Sequence, residues 1–576
     1  MKKIFILIAA IAVLLPAQAT AQNTHTQATA QATAQKTCNL NFNAANYTTE
    51  SDTINGKTVT YRAYRNLVYV AHPADAKYQC MNIFIPEEYF QGKSINGYTA
   101  ETAPIFMPNG VGGYMPALPG DIKQQPFTMP AGTPPDMQMP NGQAPQGAGR
   151  QVPDSIRKKF PIGMRGQRPV GMQMQMPQRA STELAALAQG YVVAYPGIRG
   201  RTLKDSAGIN YGKAPALIVD YKAAVRYLRF NDKVMPGDAE KIISNGTSAG
   251  GALSSLLGAT GNSKDYEPYL KKLGAADEPD NIFAASCYCP ITNLDNADAA
   301  YEWQFNSTTT YGGRFGGADT KLTAKQIEIS NQLKPLFITY VNSLQLKAMC
   351  GSNFTHDSNS STKNCNANTF LTLDKTGNGS FKDYVMSFVT ASAQEALDKG
   401  TDLSGIKWLT IKKDSDGTHK NGKIAGANFE KYVQTIKRMK TPPAFDALDL
   451  SSAETNEFGT ATIDAQHFTQ YGATHSTAAA SNKDSKAKNI SIADSLIIKM
   501  MNPMAYIADG TSTPAKHWRI RHGTIDRDGS IATPIILATK LQNNGYDVDL
   551  ALPWNTPHSG DYDLPELFKW IDRICK

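Results

Sequence analysis

The pentapeptide Gly246-Thr247-Ser248-Ala249-Gly250 constrains this chain more than any other feature. It follows the apolar run Lys241–Ser244 and opens the Ala- and Leu-rich segment Ala249–Leu257, so the pattern predicts a strand, a tight turn carrying a serine, and a helix. Gly-x-Ser-x-Gly at such a junction lifts the hydroxyl above the edge of a sheet, because only glycine permits the close backbone approach. The same alternation continues on both sides. Thr182–Gln189 reads as a helix, Tyr191–Tyr195 as a buried strand, and Pro215–Phe230 as an amphipathic helix with Ala216, Val219, Ala223 and Leu228 on one face. Far downstream, Trp518–Arg521 and Tyr546–Ala551 read as strands, and Ile531–Leu541 and Leu564–Cys575 as helices. Repeated strand and helix with short turns predicts βαβ units and an α/β fold, a doubly wound, mostly parallel sheet. Thr58–Tyr64, Leu67–Ala71, Cys80–Pro86 and Ala103–Met107 supply further strands.

With 576 residues, 41% hydrophobic and 19% charged, the chain has globular composition, which excludes wholly disordered, collagen-like and coiled-coil architectures. The formal net charge of +8 includes Lys2 and Lys3, and no Lys/Arg run follows, so nothing points to a nucleic-acid partner. Those lysines precede an apolar stretch, Ile4–Leu15, and the small-residue pattern Ala17-Gln18-Ala19-Thr20-Ala21. Residues 1–21 therefore read as a signal peptide cut after Ala19 or Ala21, which places the mature protein in a periplasm or outside the cell, without a membrane span. Residues 22–56 read as a low-complexity linker and N-terminal segment. Residues 57–311 are the first part of the sheet domain, with a Pro/Met/Gln-rich irregular insert at 115–178. Residues 312–489 break the alternation with helical stretches at Leu322–Ala348, Phe381–Asp398 and Phe429–Met439, and are expected to form a large inserted lid domain; 490–576 complete the sheet. Seven cysteines in an oxidising compartment allow three disulfides and one spare thiol, with Cys350 and Cys365 the best candidates for a local bridge.

A serine nucleophile needs a base, and on such a sheet the chain order is Ser, acid, His. Only His558 stands in a loop between the last strand and the last helix, so it is the expected base for Ser248. For the acid, Arg521-His522-Gly523-Thr524-Ile525-Asp526-Arg527-Asp528 follows the preceding strand; Asp526 is favoured and Asp528 is its rival. The oxyanion of a tetrahedral intermediate needs backbone donors. Ala249 supplies one by its position, and the glycine-rich turn after Met107 offers Gly112 or Gly113 as the other. Cys287-Tyr-Cys289 lacks a second pair to hold a metal, and Asp374–Phe381 resembles a calcium loop with Val385 where a bidentate Glu belongs. No metal and no cofactor are expected.

Three segments carry a family resemblance: Gly246–Ala252, Cys289-Pro290-Ile291-Thr292, and Arg521–Asp528 together with His558–Asp563. The chain resembles the bacterial tannases, α/β-hydrolases with a large, mainly helical inserted lid, from about Thr58 to Lys576 outside the Pro/Met/Gln insert. The resemblance implies Ser248, Asp526 and His558 as the triad. It also implies a ring-binding set that spacing alone does not reveal: Lys440, Glu454 and Asp528 toward phenolic hydroxyls, and Ile291 against the aromatic face. Glu457 competes with Glu454 for that place. The implied activity is hydrolysis of galloyl esters, a small-molecule phenolic substrate, through an acyl-enzyme. Alternatives are a feruloyl or general carboxylesterase or exopeptidase of the same fold, or a non-catalytic binding protein built on it.

Overall fold

The computed structural model of the protein describes residues 37–123, 181–312, 319–348, 370–412, 422–478 and 492–576. The expected signal peptide, the low-complexity tract to Lys36, the Cys350/Cys365 pair and all but the first part of the Pro/Met/Gln insert lie outside them. Residues 115–123 of that insert are described; they form no helix or strand, and Ala117 bridges Ile198, so this first part packs on the sheet domain.

Thirteen strands appear in chain order: β1 Thr48–Ile54, β2 Lys57–Val68, β3 Cys80–Pro86, β4 Pro104–Asn109, β5 Val192–Pro196, β6 Asp238–Thr247, β7 Ala284–Tyr288, β8 Thr310–Tyr311, β9 Thr320–Lys321, β10 Leu409–Lys412, β11 Lys423–Ala427, β12 His517–Arg521 and β13 Asp547–Ala551. Nine of them form one sheet in the order β1-β2-β3-β5-β4-β6-β7-β12-β13. From β5 to β13 every neighbouring pair is parallel, while β1, β2 and β3 add an antiparallel edge. The doubly wound, mostly parallel sheet expected from the alternation is what the chain forms, an α/β-hydrolase architecture.

Burial explains which strands the sequence pattern exposed. Every residue of β4 and β7 is buried, as parallel strands covered on both faces require. β7, Ala-Ala-Ser-Cys-Tyr, has small residues and no alternation, and it escaped the strand reading although it lies between β6 and β12. β1, Thr-Thr-Glu-Ser-Asp-Thr-Ile, is an exposed edge strand inside what read as a linker. The predicted strands 58–64 and 67–71 are one strand, β2, with a bulge between Tyr64 and Leu67. The helix Ala249–Ala259 is buried along its whole length, packed behind β6 and β7.

None of the nine sheet strands comes from residues 312–489. That stretch contributes the helices Ala324–Leu344, Ser380–Asp398 and Phe429–Ile436, each a little shorter than or offset from its sequence expectation, and the hairpin β10-β11. All three helices send an aromatic ring to Trp303, which sits on the helix Leu294–Phe305: Phe337 at 5.2 Å, Phe381 at 5.7 Å and Phe429 at 5.1 Å between centroids. Ring pairs at these separations add to area burial, and here they fasten the inserted residues to the sheet domain. Asp374 accepts from its own turn, Thr376 N and Oγ1 and Asn378 N, so the calcium-like loop is a polar turn leading into Ser380–Asp398. Cys38, Cys80, Cys287, Cys289 and Cys575 are all unpaired, which overturns the expectation of three disulfides: five of the seven thiols do not pair.

Candidate active site

Every candidate residue of the reaction centre follows the carboxyl end of a parallel strand: Gly112 and Gly113 after β4, Ser248 after β6, Asp526 after β12 and His558 after β13. Loops at that edge of an open α/β sheet converge over the strand ends. Ser248 adopts φ 61° and ψ −121°, a backbone conformation that costs free energy and is held by hydrogen bonds on either side. Its N–H donates to Tyr288 O at 3.0 Å, and its carbonyl accepts from Ile291 N at 3.2 Å. A Cβ at Gly246 would collide with the Gly250 carbonyl, and one at Gly250 would lie 2.5 Å from Asn109 O and 3.1 Å from Val111 O. Both glycines of the motif are therefore required by contact, and the second contact sets the Asn109–Gly113 turn against the first turn of the serine's helix. This brings Ala249, Gly112 and Gly113 to one corner.

His558 Nδ1 lies 2.8 Å from Asp526 Oδ2 and 3.7 Å from Asp528 Oδ2, so the hydrogen bond falls to Asp526 and not to its rival. Burial alone would raise the Asp526 carboxyl. The charges of His558 and His522, with hydrogen bonds from His558 and the Asp528 N–H, hold it instead at about 2. Burial opposes charge on His558, but Asp526 and the neighbouring Cys289 outweigh it and push the imidazole above its ordinary range. The two loops brace each other. Gly523 packs on Thr556 O, Asn555 N donates to Thr524 Oγ1 at 2.8 Å, and Asn245 of β6 donates to Asp561 at 2.9 Å, tying the histidine loop to the serine's strand. Tyr432, from the inserted residues, donates to Thr524 O at 2.6 Å and clamps the acid loop from above.

The ring-binding candidates come together from separate segments. Glu454 starts the short helix Ala453–Glu457; burial raises its carboxyl, Lys440 and Arg201 oppose the shift, and Asp528 adds to it. Glu457 is fully buried and neither carboxylate oxygen has a hydrogen-bond partner; burial pushes its carboxyl well up, against the opposing charges of Lys213 and Arg201. Lys440 Nζ stands 3.9 Å above the Phe445 ring, and its backbone N–H donates to the Tyr301 hydroxyl at 3.1 Å. Ile291 lines a small cavity with Phe445, His522 and Gly529, and its carbonyl accepts from Tyr114 OH at 2.8 Å.

Three neighbours receive no role at the site from the sequence reading, although Cys289 and His522 lie in the segments that carry the family resemblance. Cys289 follows β7, and its Sγ lies 3.9 Å from His558 Nε2. His522, two residues before the acid loop's turn, is buried with both ring nitrogens lacking a hydrogen-bond partner and with Nδ1 3.7 Å from Asp526. Arg201 donates through Nε to Gly113 O at 2.8 Å and through Nη1 to Asn456 Oδ1 at 3.2 Å, linking the glycine turn to the helix that carries Glu454. Spacing could not have found Cys289 and Arg201, because their partners lie far away in the chain; His522 stands only four residues before Asp526.

A serine in a strained turn, a histidine oriented by a buried carboxylate and a glycine turn beside them can perform acyl transfer. Comparisons with known proteins agree with that chemistry. The family model BD-FAE matches residues 171–345. No curated protein matches the chain. Among solved structures, a tannin acyl hydrolase in complex with ethyl gallate is 41% identical with a TM-score of 0.76, covering 93% of this chain and 99% of its own. The tannin acyl hydrolase of Lactobacillus plantarum is 40% identical with a TM-score of 0.76 and the same coverage. The Fusobacterium nucleatum tannase is 45% identical with a TM-score of 0.75, covering 93% of this chain and 100% of its own. Identity at this level over nearly the whole chain places the protein in the tannin acyl hydrolase family.

Proposed function

We propose that the protein is a secreted serine esterase that hydrolyses galloyl esters through Ser248, His558 and Asp526. The 2.8 Å pairing of His558 with Asp526 at the strand edge that presents Ser248 carries the reading. His558 Nε2 takes the Ser248 proton as Oγ adds to the ester carbonyl. The N–H groups of Ala249 and of Gly112 or Gly113 receive the oxyanion. Collapse passes the proton from His558 to the departing alcohol and leaves a galloyl-serine, which a water activated by His558 hydrolyses to gallate.

Asp528, Glu454 and Lys440 surround a space suited to vicinal phenols: the carboxylates accept from the hydroxyls and the ammonium favours a phenolate. Ile291 offers an apolar face to the ring. Lys2 and Lys3, the apolar run and the Ala-x-Ala pattern support export to the periplasm or beyond. Among the described residues, no helix is long and apolar enough to cross a membrane. The deciding experiment is methyl gallate hydrolysis by wild type and Ser248→Ala. Wild type turns over and the variant does not; equal turnover by both would remove Ser248 from the chemistry.

A further inference from the structure

Esterase chemistry leaves one group beside the base unused, the Cys289 thiol. Sγ of Cys289, a ring nitrogen of His558 and a carboxylate oxygen of Asp526 lie within 4.8 Å of one another. The thiol forms no disulfide and donates to Ser559 O at 3.4 Å. Cys287 is buried within β7 and takes no part in this cluster, so the arrangement is not a Cys-x-Cys chelate.

We propose that Cys289 Sγ and His558 Nε2 form a two-donor site for a thiophilic divalent cation, zinc or cadmium, whose occupancy stops hydrolysis. The separation fits the chemistry. Zinc bonds of ~2.3 Å to sulfur and ~2.05 Å to imidazole nitrogen at a tetrahedral angle span about 3.6 Å, and the two atoms here stand 3.9 Å apart. Asp526 fixes the direction. Its hydrogen bond from Nδ1 leaves the Nε2 lone pair facing the thiol, the carboxylate–histidine–metal arrangement that holds a ligating ring in place.

Charge fits as well. On binding, the thiol releases its proton to solvent, and the thiolate with the nearby Asp526 carboxylate balances a 2+ ion. Soft sulfur and imidazole donors select zinc or cadmium over magnesium and calcium, which demand oxygen cages. Water completes the shell. A metal on Nε2 occupies the lone pair that must accept the serine proton. The inhibitory half of this inference rests on His558 being the base; the binding half does not.

The test titrates EDTA-treated enzyme with Cd2+ alone and follows both thiolate-to-cadmium ultraviolet absorption and methyl gallate turnover. In wild type, absorption rises as turnover falls, EDTA reverses both, and Mg2+ does neither. Cys289→Ala loses that increment of absorption and needs at least about tenfold more Cd2+ for half-inhibition. His558→Ala also weakens the absorption, by direct titration; if this variant kept full turnover, the esterase reading would fail while the absorption still reported the site. Raising the pH strengthens inhibition, because both ligands must be deprotonated. Equal half-inhibition in wild type and Cys289→Ala overturns the site, and absorption without lost turnover overturns its inhibitory role.

Discussion

The proposed reaction centre and the proposed ring-binding corner are built in opposite ways. Ser248, Asp526 and His558 sit on short turns at the ends of three strands of one sheet, and their loops are braced by contacts too close for a Cβ, against backbone at Gly246 and Gly523 and against the Thr247 side chain at Gly560. Lys440 and Glu454 are long side chains on inserted residues. Their supports are side chains as well: Arg201 on Asn456, Tyr301 beneath Lys440, and the fully buried ion pair of Arg438 with Glu302 next to it. The first kind of construction fixes geometry and leaves little room for variation. The second tolerates change one side chain at a time. A change in the strand-end loops should lower the rate on every ester, and a change in the inserted corner should alter which ester is preferred.

Asp526→Asn should show the largest effect, about a 10,000-fold fall in kcat on gallate and benzoate esters alike, because the imidazole loses its tautomer and its counter-charge. A fall confined to gallate esters would break the division. Lys440→Met and Asp528→Asn come next. Each should reduce the kcat/KM preference for methyl gallate over methyl benzoate by about 100-fold while benzoate turnover stays near its starting value, since the loss is of hydroxyl recognition. Equal losses on both esters would place these residues in the reaction centre instead. In pH profiles, the base must be neutral, so kcat/KM should rise with pH through a limb above 6.5, where Asp526 and the Cys289 neighbourhood hold the His558 imidazole. Cys289→Ala should move that limb to lower pH by removing one of the raising influences; an unmoved limb would leave Asp526 as the sole cause. Tyr432→Phe tests the bond between the two regions. It deletes one hydrogen bond to Thr524 O, worth about 1 kcal/mol, and should lower kcat by about fivefold on all esters, measured at saturating substrate.

Legibility in the sequence divided along the same line. The strand-turn-helix at Ser248 and the order Ser, Asp, His could be read because short-range apolar pattern and loop position specify them. The choice of Asp526 over Asp528 needed coordinates, since two residues of spacing along a loop do not say which carboxylate turns toward His558. β7 went unread because Ala284, Ala285 and Ser286 carry neither alternation nor bulk, although burial between β6 and β12 makes them a strand. β1 went unread for the opposite reason, being a polar edge. Lys440 and Glu454 looked like solvated charges until a family resemblance pointed to them, and only the fold shows that Glu457 is fully buried while Glu454 is partly exposed. The compartment suggested disulfides, yet β-strand and helix packing holds the described thiols apart.

Strands β7 and β12 are hydrogen-bonded neighbours, but the chain leaves one at Tyr288 and enters the other at His517. Closing that pair means paying the loop entropy of everything between them, and contacts of such separation form slowly. The sheet half that ends in β7 can assemble while the second half waits for the inserted residues to gather around Trp303. Nascent chain therefore holds the nucleophile's turn well before the acid and the base arrive from β12 and β13. On the proposed triad, the chain stays inert through most of its own folding and gains its general base last.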